Sequence, residues 1–191
     1  MLPCGMPHIL ILSASVRTGR RSPRVALHLT NAITARGDAT CEVLDLAELD
    51  FPIFHERLKN LTDPPAALQD YATRVAQADG VIIVTPEYNG GYPASLKNAI
   101  DVLNDQWHRK PVAISTVSDG SFGGSQVLTS LQFSLWKLRA WTVPATMPVP
   151  KVQEAFDEAG IAQAPAEWAR RTGRFLDELM WCITASSRMR T

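Results

Sequence analysis

Four short apolar runs punctuate the chain, His8–Ser13, Cys41–Leu44, Val81–Thr85 and Val112–Val117, and helical periods fill the spaces between them. After the first run, Val25, Leu29, Ala32 and Ile33 fall at i, i+4, i+7 and i+8, one face of a helix. Ser22-Pro23 opens it as a serine N-cap followed by proline at the first helical position. Leu68, Tyr71, Ala72, Val75 and Ala78 repeat the period behind Pro64-Pro65. Leu96, Ala99, Ile100 and Leu103 predict a third helix, running from Pro93 to Leu103, and Val127, Leu131, Leu135 and Leu138 a fourth. A last helix is predicted from Pro165 to Ala185, with Trp168, Phe175, Leu176, Leu179 and Ile183 inward. Before it, Trp141–Val149 carries Pro144 and Pro148. Proline cannot donate to a central ladder, which confines this segment to a sheet edge or an irregular strand.

Alternating strands and helices imply parallel strands with helices on both faces. The first, third and fourth runs are continuously apolar, as buried parallel strands are. The second, Thr40–Asp45, sets Cys41 and Val43 against Glu42 and reads as an edge. Five strands with such an edge fit a flavodoxin-like three-layer sandwich in the order 2-1-3-4-5, not an eight-stranded barrel. One domain over residues 1–191 is expected. Asp50–Asp63 and Pro148–Pro165 are long connections, read as binding or interface loops.

Composition narrows the class. Hydrophobic residues make up 46% and charged ones 20%, ordinary for a globular protein. Nineteen basic and nineteen acidic residues cancel, so no global field points to nucleic acid or an anionic membrane. Cys4, Cys41 and Cys182 have no metal spacing and are odd in number, which argues for a reduced compartment. The N-terminal apolar run has no basic flank and is interrupted by Pro3 and Pro7, so it reads as a strand and not a signal peptide. No apolar run approaches the roughly 18 residues of a membrane span. A cytoplasmic protein is expected.

Candidate chemistry gathers in three loops, each after a strand. The first, Ser13–Ser22, combines hydroxyls, Gly19 and three arginines with a helix N-terminus. Such a set suits a phosphate: main-chain N–H groups and the positive end of the helix dipole favour an anion, and arginine adds charged bonds. It is neither a Walker loop nor a GxGxxG, and the same residues would also make a solvated basic loop. The second, Thr85–Tyr92, holds Pro86, Glu87, Tyr88, Asn89, Gly90 and Gly91. Exposed backbone beside aromatics suits a planar heteroaromatic ring, and a plain turn before Pro93 is the alternative. The third, Ser118–Ser125, is rich in glycine and serine. The first, third and fourth strands are neighbours in a 2-1-3-4-5 sheet, so the three loops would form one crevice.

The remaining candidates fall away. His8, His28, His55 and His108 show no metal-ligand spacing, and no GxSxG elbow is present. Glu87 is read as a carboxylate that caps a nearby backbone N–H and not as a general base. The five tryptophans are read as core or subunit contacts.

Three stretches carry a family resemblance: Ala14-Ser15-Val16-Arg17 with Ser22, Thr85–Asn89 running on to Leu96–Asp101, and Ser118 with Gly123-Gly124. The chain resembles the NADPH-dependent FMN reductases, flavodoxin-like flavoproteins that include quinone, azo-dye and chromate reductases. The resemblance implies that Ser15, Arg17 and Ser22 hold the FMN phosphate, with Arg20, Arg21 and Arg24 as supplementary charges. It implies that Pro86, Glu87, Tyr88, Asn89 and Gly90 border the isoalloxazine and that Ser118, Gly123 and Gly124 form the third flavin-side loop. It also implies a homodimer or homotetramer through the helix after Pro93. Ala14 and Ala94 stand where the family often has glycine, and Arg24 where asparagine is frequent.

The implied activity is ping-pong hydride transfer, with NADPH or NADH as donor and a quinone, free flavin, azo dye or metal oxyanion as acceptor. The cofactor carries that chemistry, so no catalytic side chain and no metal are expected. A flavodoxin-type electron carrier is the alternative. Such carriers dock by charge, and this chain is balanced.

Overall fold

The computed structural model describes residues 5–49 and 52–189. Five strands, β1 (His8–Ser13), β2 (Thr40–Asp45), β3 (Gly80–Pro86), β4 (Pro111–Val117) and β5 (Trp141–Val149), form one parallel sheet in the order β2-β1-β3-β4-β5. The helices are α1 (Ser22–Arg36), α2 (Ala66–Gln77), α3 (Ala94–Asp101), α4 (Val127–Lys137), α5 (Val152–Ala155) and α6 (Pro165–Met189). Each predicted strand and helix is present, within a few residues of its expected ends.

The period of two along each strand divides the core into two layers. Ile9, Ile11, Ile82, Val84 and Ala113 face α1 and α6, whereas Leu10, Leu12, Val81, Ile83, Val112 and Ile114 face α2, α3 and α4. Both sets are buried, which is why these strands read as continuous apolar runs. Each buried Leu, Ile or Val contributes roughly 1.5–3 kcal/mol, offset by the chain entropy lost on folding. β2 and β5 lie at the edges. In β5 the pairing slips between Val112 and Ile114, so that Ile114 meets Thr146, a bulge that accommodates Pro144.

One local expectation is corrected. Ser22 is not the N-cap of α1: Arg21 occupies that position, and no side-chain cap bond forms. Ser22 is instead buried at the first turn. The connection after β5, read from the sequence as a binding or interface loop, carries structure of its own. It winds through α5 and a bridge between Phe156 and Ala162, then lies along α1. Gly160 has φ +76° there, and a Cβ would stand 2.5 Å from the His28 backbone nitrogen, so only glycine permits the approach.

His28 locks this contact. Its Nδ1 lies 3.2 Å from the Gly160 carbonyl and its Nε2 2.8 Å from Thr172 Oγ1, with Phe156 packed 4.3 Å from the ring. A carbonyl only accepts, so Nδ1 carries the proton and Nε2 accepts from the threonine. The connection between β2 and α2 is clamped differently: Asn98 of α3 accepts from the Phe54 N–H and donates to the Pro52 carbonyl. Residues 50 and 51 of that connection lie outside the described residues, as does Cys4.

Burial lowers the His28 pKa below its usual 6.5. The unfolded chain therefore takes up a proton at a pH where the folded one does not. The stability that neutral His28 contributes is complete above about pH 6.5 and is lost as pH falls from there toward the depressed value. The urea midpoint should fall more steeply between about pH 7.5 and pH 5 in the natural protein than in His28→Gln. Parallel losses in the two proteins would remove His28 from the account.

Candidate active site

The three loops meet outside the carboxyl ends of β1, β3 and β4. Together they wall one open cavity of about 380 Å³, lined by Ser15, Arg17, Gly19, Arg20, Arg21 and Ser22, by Pro86, Glu87 and Tyr88, and by Val117, Ser118, Asp119 and Gly120. Val152 of α5 completes the wall. The crevice expected from strand order alone is therefore present.

The first loop turns between the end of β1 and α1. Arg20 folds back on it, donating to the Ser15 carbonyl and pairing with Asp45 at the end of β2. Arg21 reaches across to Asp119 of the third loop, 3.2 Å away and exposed. The Arg17 guanidinium makes no ion pair or hydrogen bond among the described residues, and Arg17 lines the cavity. The three arginines thus differ in role: one braces, one bridges and one is uncommitted. Arg24 points elsewhere, donating to the Phe156 carbonyl and facing Glu158, and is not part of the wall.

The second loop is a tight turn. The Tyr88 and Gly91 backbones exchange two bonds of 2.8 and 3.0 Å, with Asn89 and Gly90 at φ +53° and +79°. Positive φ at both central residues is the type I′ pattern, which Asn-Gly favours. The turn uses the N–H groups of Tyr88 and Gly91 and leaves those of Asn89 and Gly90 uncommitted among the described residues. The Tyr88 hydroxyl meets Ser15 Oγ at 2.9 Å and joins the first two loops. Ser95, in the first turn of α3, donates to the Ala14 carbonyl and ties the same loops from below.

The third loop is held by backbone. Ser118 N–H donates to Val149, and the N–H groups of Lys151 and Val152 donate to Gly120 and Ser118. Gly123 and Gly124 pack behind the crevice and do not line it. A Cβ on Gly123 would stand 2.9 Å from Pro148 Cβ, and Thr116 Oγ1 donates to the Gly123 carbonyl. Asn89 and Gly90 also lie outside the walled volume, at its rim beside Tyr88. Glu87 accepts from the Gln126 N–H at 3.0 Å, just before α4, which is the capping role read from the sequence.

Asp119, Gly120, Val152 and Ser95 are contributors that sequence reasoning did not single out. The first two stand inside the Ser118–Ser125 loop and Val152 inside the Pro148–Pro165 connection, so all three carried a signal. Ser95 sits in an ordinary helical pattern and carried none. Among the described residues no group of three or more His, Cys, Asp and Glu could hold a metal, and no helix is long and apolar enough to cross a membrane.

The cavity's chemistry suits a phosphorylated planar ligand. Serine hydroxyls, an uncommitted guanidinium and the start of α1 stand at one end, and a turn with free N–H groups and an aromatic stands at the other. The two carboxylates in its wall are already engaged, Glu87 by a backbone N–H and Asp119 by Arg21. This is an open α/β protein with its ligand crevice at the topological switch point.

The chain belongs to the NADPH-dependent FMN reductase family, whose model matches residues 7–154. It is thus an oxidoreductase with FMN as its cofactor and NAD(P)H as its co-substrate. It is 32% identical to an NAD(P)H-dependent FMN reductase of Schizosaccharomyces pombe over 87% of this chain and 84% of that protein. It is 38% identical to a quinone reductase of Escherichia coli over 62% of this chain and 63% of that one. In fold it is similar to FerB, a flavoenzyme NAD(P)H:(acceptor) oxidoreductase from Paracoccus denitrificans, with TM-score 0.75, 22% identity and coverage of 92% and 97%.

Glu87→Ala leaves the Gln126 N–H without its acceptor and should lower stability by about 1–2 kcal/mol in urea unfolding. Unchanged stability with lost turnover would make Glu87 a group of the chemistry instead.

Proposed function

We propose that the chain is one domain working as a cytoplasmic NAD(P)H-dependent FMN reductase of the quinone-reductase type. The observation that supports this most is the convergence of all three loops on a single cavity with an anion-binding end and a ring-binding end. Ser15, Ser22 and Arg17 hold the phosphate, helped by the dipole of α1. Arg20 fixes the loop's shape through Ser15 and Asp45, and Arg21 with Asp119 closes one side. Pro86–Gly90 borders the ring, where the uncommitted N–H groups of Asn89 and Gly90 are placed to stabilise negative charge at its polar edge. Gly123 and Gly124 support the third loop from behind.

The chemistry the bound group supplies is two-electron hydride transfer, from NAD(P)H in one half-reaction and to a quinone, free flavin, azo dye or metal oxyanion in the other, a ping-pong cycle. The protein contributes binding, orientation and electrostatics. No side-chain acid or base is required for the hydride step.

A second copy of the chain is the proposed partner, docking along α3. The neighbouring α4 exposes Phe133 and Trp136, at 61% and 63%, with their rings 5.7 Å apart. Paired exposed aromatics of this kind mark contact surfaces.

The purified protein should be yellow, release FMN and not FAD on denaturation, and oxidise NADPH when a quinone is added. A colourless protein that takes up no FMN would sink the assignment, and slow NADPH turnover with rapid exchange to a protein partner would favour an electron carrier. Arg17→Ala should weaken FMN binding to the apoprotein by roughly 1.5–3 kcal/mol, the worth of a charged hydrogen bond. Arg24→Ala, whose side chain is engaged with Phe156 and Glu158, should leave it unchanged. Equal effects of the two substitutions, read by flavin fluorescence titration, would overturn the assignment of the phosphate end.

A further inference from the structure

A second cavity lies at the opposite end of the sheet, where β4 and β5 begin. It measures about 360 Å³ and is lined by Arg109, Arg139, Trp141, Ser186 and Met189. Trp141 and Met189 give it an apolar wall, and Trp181 stands edge-on to Trp141 at 6.3 Å. Cavities of this size with apolar walls and a few polar groups are the usual form of small-molecule sites.

The two arginines are unusual in the same way. Arg109 has φ +59° and Arg139 φ +57°, the left-handed region that favours glycine. Arg139 lies just past the end of α4, with the Ala140 N–H returning to the Leu135 carbonyl, a turn in which glycine is the ordinary choice. The Arg109 N–H donates to the Arg139 carbonyl at 2.8 Å, so the two strained residues are fastened to each other. Ser186 Oγ reaches the Arg109 carbonyl from α6. Among the described residues neither guanidinium has an ion pair or a hydrogen bond. Backbone strain concentrates at ligand clamps, and here both strained residues line one cavity and carry uncommitted positive charge.

We propose that this cavity is a second ligand site, separate from the flavin crevice, for a small amphipathic anion: a flat aromatic body bearing one carboxylate, sulfonate or phosphate. The body would lie against Trp141 and Met189 and the head between the two guanidinium groups. Arginine's planar fork matches such head groups bidentately. The proposal does not depend on the identity of the electron acceptor or on the flavin reading.

The test titrates 8-anilinonaphthalene-1-sulfonate into the full-length protein as isolated and follows probe fluorescence. Saturable binding is expected, weakened by about tenfold or more in the double variant Arg109→Gly/Arg139→Gly, because each charged hydrogen bond lost is worth roughly that factor. Glycine suits both left-handed positions, so the variant should melt at the same or a higher temperature and oxidise NADPH at the same rate. Absence of saturable binding, or equal affinity in the variant, would overturn the proposal. So would a change in assembled mass by light scattering in the variant, which would make this face a subunit contact.

Discussion

With no solvent on either face, the backbone groups of β1, β3 and β4 can pair only along the sheet with the strands beside them, and this buried parallel ladder determines where the crevice lies. Strands that run in parallel end on the same side of the sheet. Because β3 lies between β1 and β4, with β2 beyond β1, the loops after β1, β3 and β4 leave adjacent strand ends with no helix between them. Three loops distant in sequence become three walls of one cavity. The edges tolerate what the centre would not: a half-exposed strand on one side and a bulged one with two prolines on the other.

Once the loops are adjacent, short polar links hold them. Ser15 Oγ to Tyr88 Oη joins the first to the second, Arg21 to Asp119 the first to the third, and Glu87 to the Gln126 N–H the second to the start of α4. These links leave part of the polar inventory uncommitted: the Arg17 guanidinium and the N–H groups of Asn89 and Gly90. A site that binds a phosphorylated ring needs donors of both kinds at its two ends. Pairing the other charges within the protein keeps the remaining donors in place before the ligand arrives, which lowers the entropy lost on binding.

The connection from Pro150 to Ala164 gives the third loop its backing. Its N–H groups bond to Ser118 and Gly120 at one end, and its Gly160 is wedged against α1 beside His28 at the other. α1 begins in the first loop. The first and third loops are therefore coupled twice, across the crevice by Arg21 and Asp119 and behind it through α1, His28 and this connection. A neutral His28 with both ring nitrogens bonded belongs to that second path.

Strand and helix identity, the parallel sheet, its order and the meeting of three loops at one crevice were all legible in the sequence, because each rests on local periodicity or on a topological rule. Glu87 as a backbone cap was legible too, since a carboxylate next to a tight turn has few other uses. The commitment of the arginines was not. Arg20 is set by Asp45 and Arg24 by Phe156 and Glu158, partners 25, 132 and 134 residues away, and no local pattern records a distance of that kind. Nor could the sequence show that Ser22 is buried at the first turn of α1 with no cap bond, or that Gly123 and Gly124 stand behind the crevice. Local chemistry named the residues with the right functional groups, and packing between distant segments decided which of those groups remain available to a ligand.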